Sequence, residues 1–333
     1  MGAGSLGIGL IGLGIHGARY ARHLADGDID GGHLAAVWSR GAERARAAAN
    51  LYAVPALPTV ESLCTHPGVA AVAVVIPVGR HVEVLETALA AGRPVLVEKP
   101  FAPDRARGEA LIEKAQLRAL PLTVAHTLRF DPLLEALRTA AADPELGRLR
   151  GFEFAQRLEP RDVTWEDDPA LAAGGVLMQT GIHGIDALRF ALSAELEVTG
   201  VSAQQLRYRE VEDAITVQLR AHGGRAGPGA EGLLSTSKLG RSRHHRFALF
   251  FDEAGLEADF IDRALYVTRG RVRESRPVPA VSTITRTINA FVDHVRTPGS
   301  PNPVPAAEGL AAVSIVEEAY LQLGSEAESR RAT

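Results

Sequence analysis

Three stretches of this 333-residue chain combine residue types and spacings that support chemistry. The first is GLGIHG, Gly12 to Gly17, set between the apolar run Leu6 to Ile11 and the helix-forming ARYARHLA. A strand, a glycine turn and a helix in immediate succession form the context in which G-x-G-x-x-G holds a dinucleotide. Gly12 permits the tight turn, Gly14 lets the backbone approach a pyrophosphate, and Gly17 lets helix and strand pack closely. The second is VLVEKP, Val95 to Pro100, which ends an apolar strand on Lys99. The chain has three lysines, Lys99, Lys114 and Lys238, and fills its other basic positions with arginine. Arginine keeps its proton whereas lysine can lose one, so a lysine kept at a strand's C-terminal end points to chemistry; the alternative is a surface lysine without a role. A Lys99-Pro100 bond can be cis at modest cost, which would turn the ammonium into a cleft. The third is GGVLMQTGIHGID, Gly174 to Asp186, which carries His183. A helix over Gly181 to Ala191 makes His183 and Asp186 neighbours on one face, where Asp186 orients the imidazole or caps nearby backbone. A lone helical histidine is otherwise a core residue.

About 20 residues beyond the glycine loop, an NAD-binding chain places an acid for the ribose 2′-hydroxyl. Here Ser39-Arg40 stands there. No carboxylate repels a 2′-phosphate, and hydroxyl and guanidinium can both bond to it. NADP is therefore the expected preference, with NAD possible; an Arg40 that only opens the next helix leaves the preference weak or dual.

The elements that must position these groups follow from periodicity. Leu6 to Ile11, Leu34 to Trp38, Val72 to Ile76, Val95 to Val97 and Leu122 to Ala125 are expected strands. They alternate with expected helices over Ala18 to Ala25, Ala42 to Asn50, His81 to Ala91 and Asp104 to Leu117, the pattern of a parallel sheet covered on both faces. From about Arg150 the runs Phe152 to Leu158, Glu197 to Tyr208, Ala214 to Ala221, Gly232 to Lys238, Phe247 to Phe251 and Leu265 to Arg269 predict a second, mostly antiparallel sheet. Apolar spacing predicts closing helices over Ile284 to Val295 and Leu310 to Leu323. Gly223 to Gly232 is expected as a flexible hairpin loop and Ser325 to Thr333 as a frayed polar tail.

With 46% hydrophobic and 23% charged residues, the chain is long enough for two cores. A formal charge of −4 without single-sign blocks carries no footprint for nucleic acid or an anionic membrane, so small-molecule partners are expected. The longest apolar run, Val69 to Val78, is about half the length of a membrane helix. Cys64 is the only cysteine, so no internal disulfide forms, and the start lacks a charged n-region and cleavage site. A cytoplasmic protein is expected. His244-His245 has no carboxylate or cysteine at ligand spacing, so no metal is expected. No G-x-S-x-G occurs, which argues against a serine hydrolase.

In order and spacing, GLGIHG, VLVEKP and GGVLxxxGIHxID resemble the glucose-fructose oxidoreductase and inositol dehydrogenase family, Gfo/Idh/MocA. IPVGRH, Ile76 to His81, is similar to that family's Thr-Pro-x-x-x-His segment with Ile76 in place of threonine. HTLRFDP, His126 to Pro132, is similar to the stretch that opens its second domain. The resemblance covers nearly the whole chain. It implies an α/β protein: a Rossmann doubly wound parallel sheet over 1–125, then a C-terminal α/β domain over 126–324 with a large, mostly antiparallel open sheet. The open sheet would face a partner subunit, in a homodimer or homotetramer, with the active site at the domain junction. The implied activity is NAD(P)-dependent hydride transfer at a secondary alcohol, or the matching ketone, of a sugar, inositol or related polyol.

By the same resemblance Lys99 and His183 handle the hydroxyl proton. Cofactor contacts extend from Gly12, Gly14, Gly17, Ser39 and Arg40 to Ile15, His16, Pro77, His81, Glu98 and Lys99. Substrate contacts fall to Lys99, Arg129, Arg161, Trp165, Gln179 and His183, with Asp162, Asp168 and Tyr208 as weaker candidates. One departure stands out, because the family most often has an aspartate four residues before the histidine and this chain has Gln179. An amide can bond a sugar hydroxyl but cannot take a proton. Two readings follow: an active enzyme like the branches resembling nucleotide-sugar 3-dehydrogenases, with Gln179 in the catalytic set, or a nicotinamide-nucleotide sensor or regulator without turnover.

The cofactor reading is testable at Arg40. Replacing it with aspartate should move the ratio of kcat/KM for NADP over NAD by about tenfold or more toward NAD, since a carboxylate repels the 2′-phosphate and accepts from a 2′-hydroxyl. A ratio that does not move refutes the role given to Ser39-Arg40.

Overall fold

The computed structural model describes residues 4–161 and 163–332, with side chains described as far as Ser325. Asp162, one of the weaker expected contacts, lies outside the described residues.

The chain divides into two compact units. In the first, β1 (Leu6–Ile11), α1 (Ile15–Ala25), β2 (Gly32–Trp38), α2 (Ala42–Tyr52), α3 (Val60–Thr65) and β3 (Ala71–Val74) lead into α4 (His81–Ala90), β4 (Val95–Glu98), α5 (Arg105–Leu117) and β5 (Leu122–Ala125). The five strands are parallel in the order β2-β1-β3-β4-β5. Every residue of β3 and of β5 is buried, as expected of strands covered on both faces. Because the strands run the same way, the loops after β1, β2, β3 and β4 emerge at one edge. Strand order reverses between β1 and β3, and open α/β sheets bind ligands outside the strand ends at such a switch point. The unexpected α3 is too short for a periodic pattern; a reciprocal Thr59/Ser62 capping box starts it.

The second unit contains α6 (Pro132–Ala141), β6 (Leu149–Arg157), α7 (Pro169–Ala172), α8 (Ile182–Leu192), β7 (Glu195–Gln204) and β8 (Ala214–Gly223). It continues with β9 (Gly227–Ser237), β10 (His244–Phe251), β11 (Gly255–Asp259), β12 (Ala264–Arg269) and β13 (Val272–Pro277). Their order is β13-β12-β11-β10-β6-β9-β8-β7, antiparallel apart from the β6/β9 pair. Leu133, Leu137, Ile185 and Leu188 of α6 and α8 share one core with Phe152, Phe154, Leu234 and Phe247 of the sheet. The edge strand β13, VRESRP, is exposed along its whole length, so no apolar alternation marks it in the sequence. The segment expected as a flexible loop is largely strand: β8 and β9 are joined by the short turn Gly224–Ala226.

Two boundaries differ from those read in the sequence. The first unit takes back Ser282–Leu310, which the sequence reading placed in the second domain. The cause is α9 (Thr283–Arg296), whose Ile284, Ile288, Phe291 and Val292 form one apolar stripe buried in the core of β1, β2 and α1. Helix α10 (Ala306–Ala332) then runs on through most of the expected tail, whose alanines, glutamates and arginines are strong helix formers. Among the described residues no helix is long and apolar enough to cross a membrane.

Candidate active site

The glycine loop is built as its spacing implies. Gly12 has φ +104°, a conformation closed to most side chains, and its N–H donates to the Trp38 carbonyl at 2.9 Å. A Cβ on Gly17 would lie 2.0 Å from the Gly12 carbonyl oxygen, so α1 starts in direct contact with the end of β1. A Cβ on Gly14 would meet nothing within 4 Å. Gly14 is also the N-cap of α1 and offers no side-chain cap, and the first turn holds no acid. An uncapped helix start with an open glycine in front of it suits a phosphate anion. Ile15 and His16 are exposed beside it. At the end of β2, Ser39 is half-buried and Arg40 exposed. These residues fit a dinucleotide, and Arg40 is accessible to a 2′-phosphate.

The turn after β4 is held from three sides. Tyr20, in α1, donates to Glu98 Oε1 at 2.8 Å, and Glu98 Oε2 accepts from the backbone N–H of Lys99 at 3.2 Å. Burial first, and then the Glu98 charge, push the Tyr20 phenol well above its ordinary value, so it remains a donor. The Lys99-Pro100 peptide is cis. Just beyond, the Phe101 carbonyl lies 3.2 Å from His81 Nδ1, while His81 Nε2 lies 2.9 Å from the Ile76 carbonyl. His81 has no exposed surface, and burial lowers its pKa. The cofactor contact expected of it is therefore corrected: His81 links the loop after β3 to the segment after Lys99. Pro77 is half-buried on the β3 loop, and Lys99 is half-buried at the end of β4.

In the second unit the helix carrying His183 begins earlier than the sequence indicates, with a π turn over Leu177–Gly181 leading into α8. Such turns occur often at functional sites. Cβ atoms on Gly181 and Gly184 would lie 3.1 Å from Thr236 Cγ2 and 2.5 Å from Phe154 Cδ1, so α8 rests directly on β9 and β6. His183 and Phe190 are the half-buried residues of this otherwise buried helix. Glu212 holds the start of the turn, its Oε1 accepting from Leu177 N at 2.9 Å and from Tyr320 Oη at 2.8 Å. Tyr320 Oη in turn accepts from Gly175 N at 3.1 Å.

Several expected contacts have other partners. Arg129 forks onto Asp186 with contacts of 3.0, 3.0 and 2.7 Å, and both side chains are buried, so Arg129 braces α8. Asp168 caps α7 through Ala170 N, and Tyr208 donates to Glu166 Oε2 at 2.7 Å inside the core. Gln179 Nε2 donates to the carbonyls of Glu166 at 2.6 Å and Gly174 at 3.1 Å, and its Oε1 accepts from Lys238 Nζ at 2.5 Å. Arg161 is exposed and Trp165 half-buried on the loop after β6. His245 stacks on Phe260 with centroids 4.2 Å apart, and burial takes its pKa down to about 4, so it is a neutral, half-buried ring. Tyr20, Glu166, Glu212, Lys238 and Tyr320 escaped the sequence reading; of these only Lys238, one of three lysines, carried a signal.

Residues 6–126 match the oxidoreductase family with an NAD-binding Rossmann fold, GFO_IDH_MocA, and residues 134–257 match the GFO/IDH/MocA C-terminal domain. The chain is 30% identical over 270 residues to the UDP-N-acetylglucosamine 3-dehydrogenase of Acidithiobacillus ferrooxidans, covering 80% of this chain and 76% of that one. It is 32% identical over 198 residues to the inositol 2-dehydrogenase of Streptomyces avermitilis, covering 59% and 56%. KijD10, a 3-ketoreductase from Actinomadura kijaniata solved with NADP and TDP-benzene, superposes with a TM-score of 0.86 at 21% identity, covering 96% and 98%.

The loop geometry separates two glycines that look equivalent in sequence. Gly14→Ala should keep the wild-type thermal midpoint yet weaken NADPH binding about tenfold or more, because its methyl occupies the phosphate's approach. Gly17→Ala should lose both stability and binding, since its methyl collides with backbone. Calorimetric titration beside thermal unfolding checks the pair; equal behaviour of the two variants contradicts the assignment.

Proposed function

The chain belongs to the Gfo/Idh/MocA oxidoreductase family, and from that premise we propose that it interconverts a secondary alcohol and the corresponding ketone of a sugar, inositol or related polyol, with NADP preferred over NAD. The nicotinamide, when bound, accepts a hydride in one direction and supplies it in the other. The chain's own residues handle everything else. Gly12, Gly14 and Gly17 with the start of α1 hold the pyrophosphate, and Ser39 and Arg40 take the 2′-phosphate. The alcohol proton must leave as the adjacent C–H bond breaks, and a neutral His183 imidazole is a suitable base near pH 7. In the reductive direction the same ring returns the proton. Lys99 donates a hydrogen bond to the reacting oxygen and stabilises charge that develops there.

The observation that carries this reading is the bracing of Lys99. Its backbone is held by Glu98, which Tyr20 holds from α1, the same helix whose N-terminus faces the pyrophosphate position. A lysine without a role has no need of a buried tyrosine and a carboxylate fixing its main chain. The similarity to a 3-dehydrogenase of a nucleotide sugar and to an inositol dehydrogenase supports a sugar or polyol as substrate.

Purified protein with NADP or NAD, screened against polyols, free sugars and nucleotide sugars, should form reduced cofactor with at least one of them. Lys99→Ala should lower kcat by about 10²-fold or more while leaving cofactor affinity near wild type. Cofactor binding without any turnover sinks the enzyme reading in favour of a sensor, and equal loss of affinity and kcat makes Lys99 structural.

A further inference from the structure

Gln179 stands where the family most often has an acid, and its surroundings explain why. We infer that Gln179 is a positioning residue: its amide, clamped between the Lys238 ammonium and two backbone carbonyls, fixes the π turn that delivers His183, and Lys238 with Glu166 dictates that position 179 be neutral. This rests on the reading of His183 given above and removes Gln179 from the groups that touch substrate.

The orientation of the amide is unambiguous. Its oxygen faces a cation at 2.5 Å, and its nitrogen faces the Glu166 and Gly174 carbonyls at 2.6 and 3.1 Å. The site therefore demands an acceptor on one side and a donor on the other, which a glutamine supplies. An ionised carboxylate would set a charged oxygen against two carbonyls. The charges are balanced as well. Lys238 and Glu166 are 5% and 4% exposed and form a 2.7 Å ion pair. Tyr208 donates to the same Glu166 oxygen, and burial followed by that bond pushes its phenol up, so it stays neutral. Burial draws the Lys238 pKa down while Glu166 draws it back up; Arg161 adds a smaller downward pull, and Glu212 a smaller upward one. The buried cation and anion are already paired, and a second anion at the half-buried position 179 would have to share Lys238 with Glu166.

The clamp acts on the functional segment. Gln179 lies inside the π turn Leu177–Gly181, which runs straight into α8 and reaches His183 four residues later. The start of the turn is held separately by the Glu212 carboxylate and Tyr320 hydroxyl. Glu212 is itself half-buried, with a pKa raised chiefly by desolvation. Groups facing Gln179 thus include Glu166 from the loop after β6, Lys238 just after β9 and Gly174 of the glycine pair.

The test is a charge relocation in the intact protein. Gln179→Glu keeps the side-chain shape and adds an acid, Glu166→Gln removes one, and the double variant moves the single negative charge from 166 to 179 with Lys238 still paired. In the single variant Gln179→Glu, burial beside Glu166 and two carbonyls raises the folded-state pKa of the new acid above its unfolded value of about 4.3. The protonated form carries no such penalty below the unfolded value, and the penalty accumulates as pH rises from there to the raised folded-state value. The thermal midpoint, relative to wild type, should therefore be lower at pH 8 than at pH 5, and the double variant should reduce that pH-dependent loss, since the competing Glu166 charge is gone while the two backbone carbonyls remain. A single variant that fails to fold while the double variant folds shows the same coupling. Double failure, or a wild-type midpoint for Gln179→Glu at both pH values, overturns the inference.

A second readout uses a substrate converted in the panel above. Gln179→Met should lower kcat by about tenfold or more through a displaced His183. Its KM should stay within about twofold of wild type, because no ground-state contact is lost. A raised KM with intact kcat makes Gln179 a substrate contact and overturns the proposal. If wild-type protein turns over no sugar, the enzyme reading fails by itself and the thermal cycle still decides this one.

Discussion

A methyl group at Gly17 would stand 2.0 Å from the Gly12 carbonyl oxygen, and the candidate dinucleotide site of the first unit depends on that closeness between α1 and β1. It fixes where α1 begins, and so where its uncapped N-terminus points. Because a helix is stiff, it also fixes Tyr20, which sits on the next turn and reaches Glu98 at the end of β4. Glu98 then orders the main chain of Lys99. One close backbone approach therefore sets both the anion site and the lysine, and the buried His81 packs against the far side of the same turn with its ring between the carbonyls of Ile76 and Phe101, able to donate to one of them.

The second unit reaches the same end by different physics. Its functional segment is held by buried and half-buried polar groups: Glu212 and Tyr320 at the start of the π turn, Lys238, Glu166 and Gln179 within it, and the Arg129–Asp186 fork on α8. Such networks confine a segment tightly only when each member has its partner, because an unmatched charge in a low-dielectric interior is costly. Small residues complete the arrangement, since α8 can rest on β6 and β9 only where Gly181 and Gly184 face them.

Groups whose positions are set locally were readable in the sequence. GLGIHG announces a strand, turn and helix because each step needs only neighbouring residues, and the strands of both sheets, β11 and β13 apart, carry readable apolar patterns within a few positions. What depended on distant partners was not readable. Gln179 looked like a catalytic amide because its clamps, Glu166 and Lys238, are 13 and 59 residues away in the chain. Arg129 looked like a substrate contact because Asp186 is 57 residues on. Helix α9 was recognisable as an amphipathic helix, but periodicity states that a stripe will be buried and not which core receives it. The edge strand β13, exposed along its length, lacked any pattern to read.

The central claim is that this chain directs hydride transfer between a nicotinamide and a sugar or polyol carbon. Incubation with NADPH deuterated at both C4 positions and a panel of ketosugars, followed by mass spectrometry of the alcohol products, tests it directly. The expected product is an alcohol heavier by one carbon-bound deuterium, formed with loss of one deuterium from the cofactor. An alcohol without the label, or intact cofactor with every ketone, would contradict it.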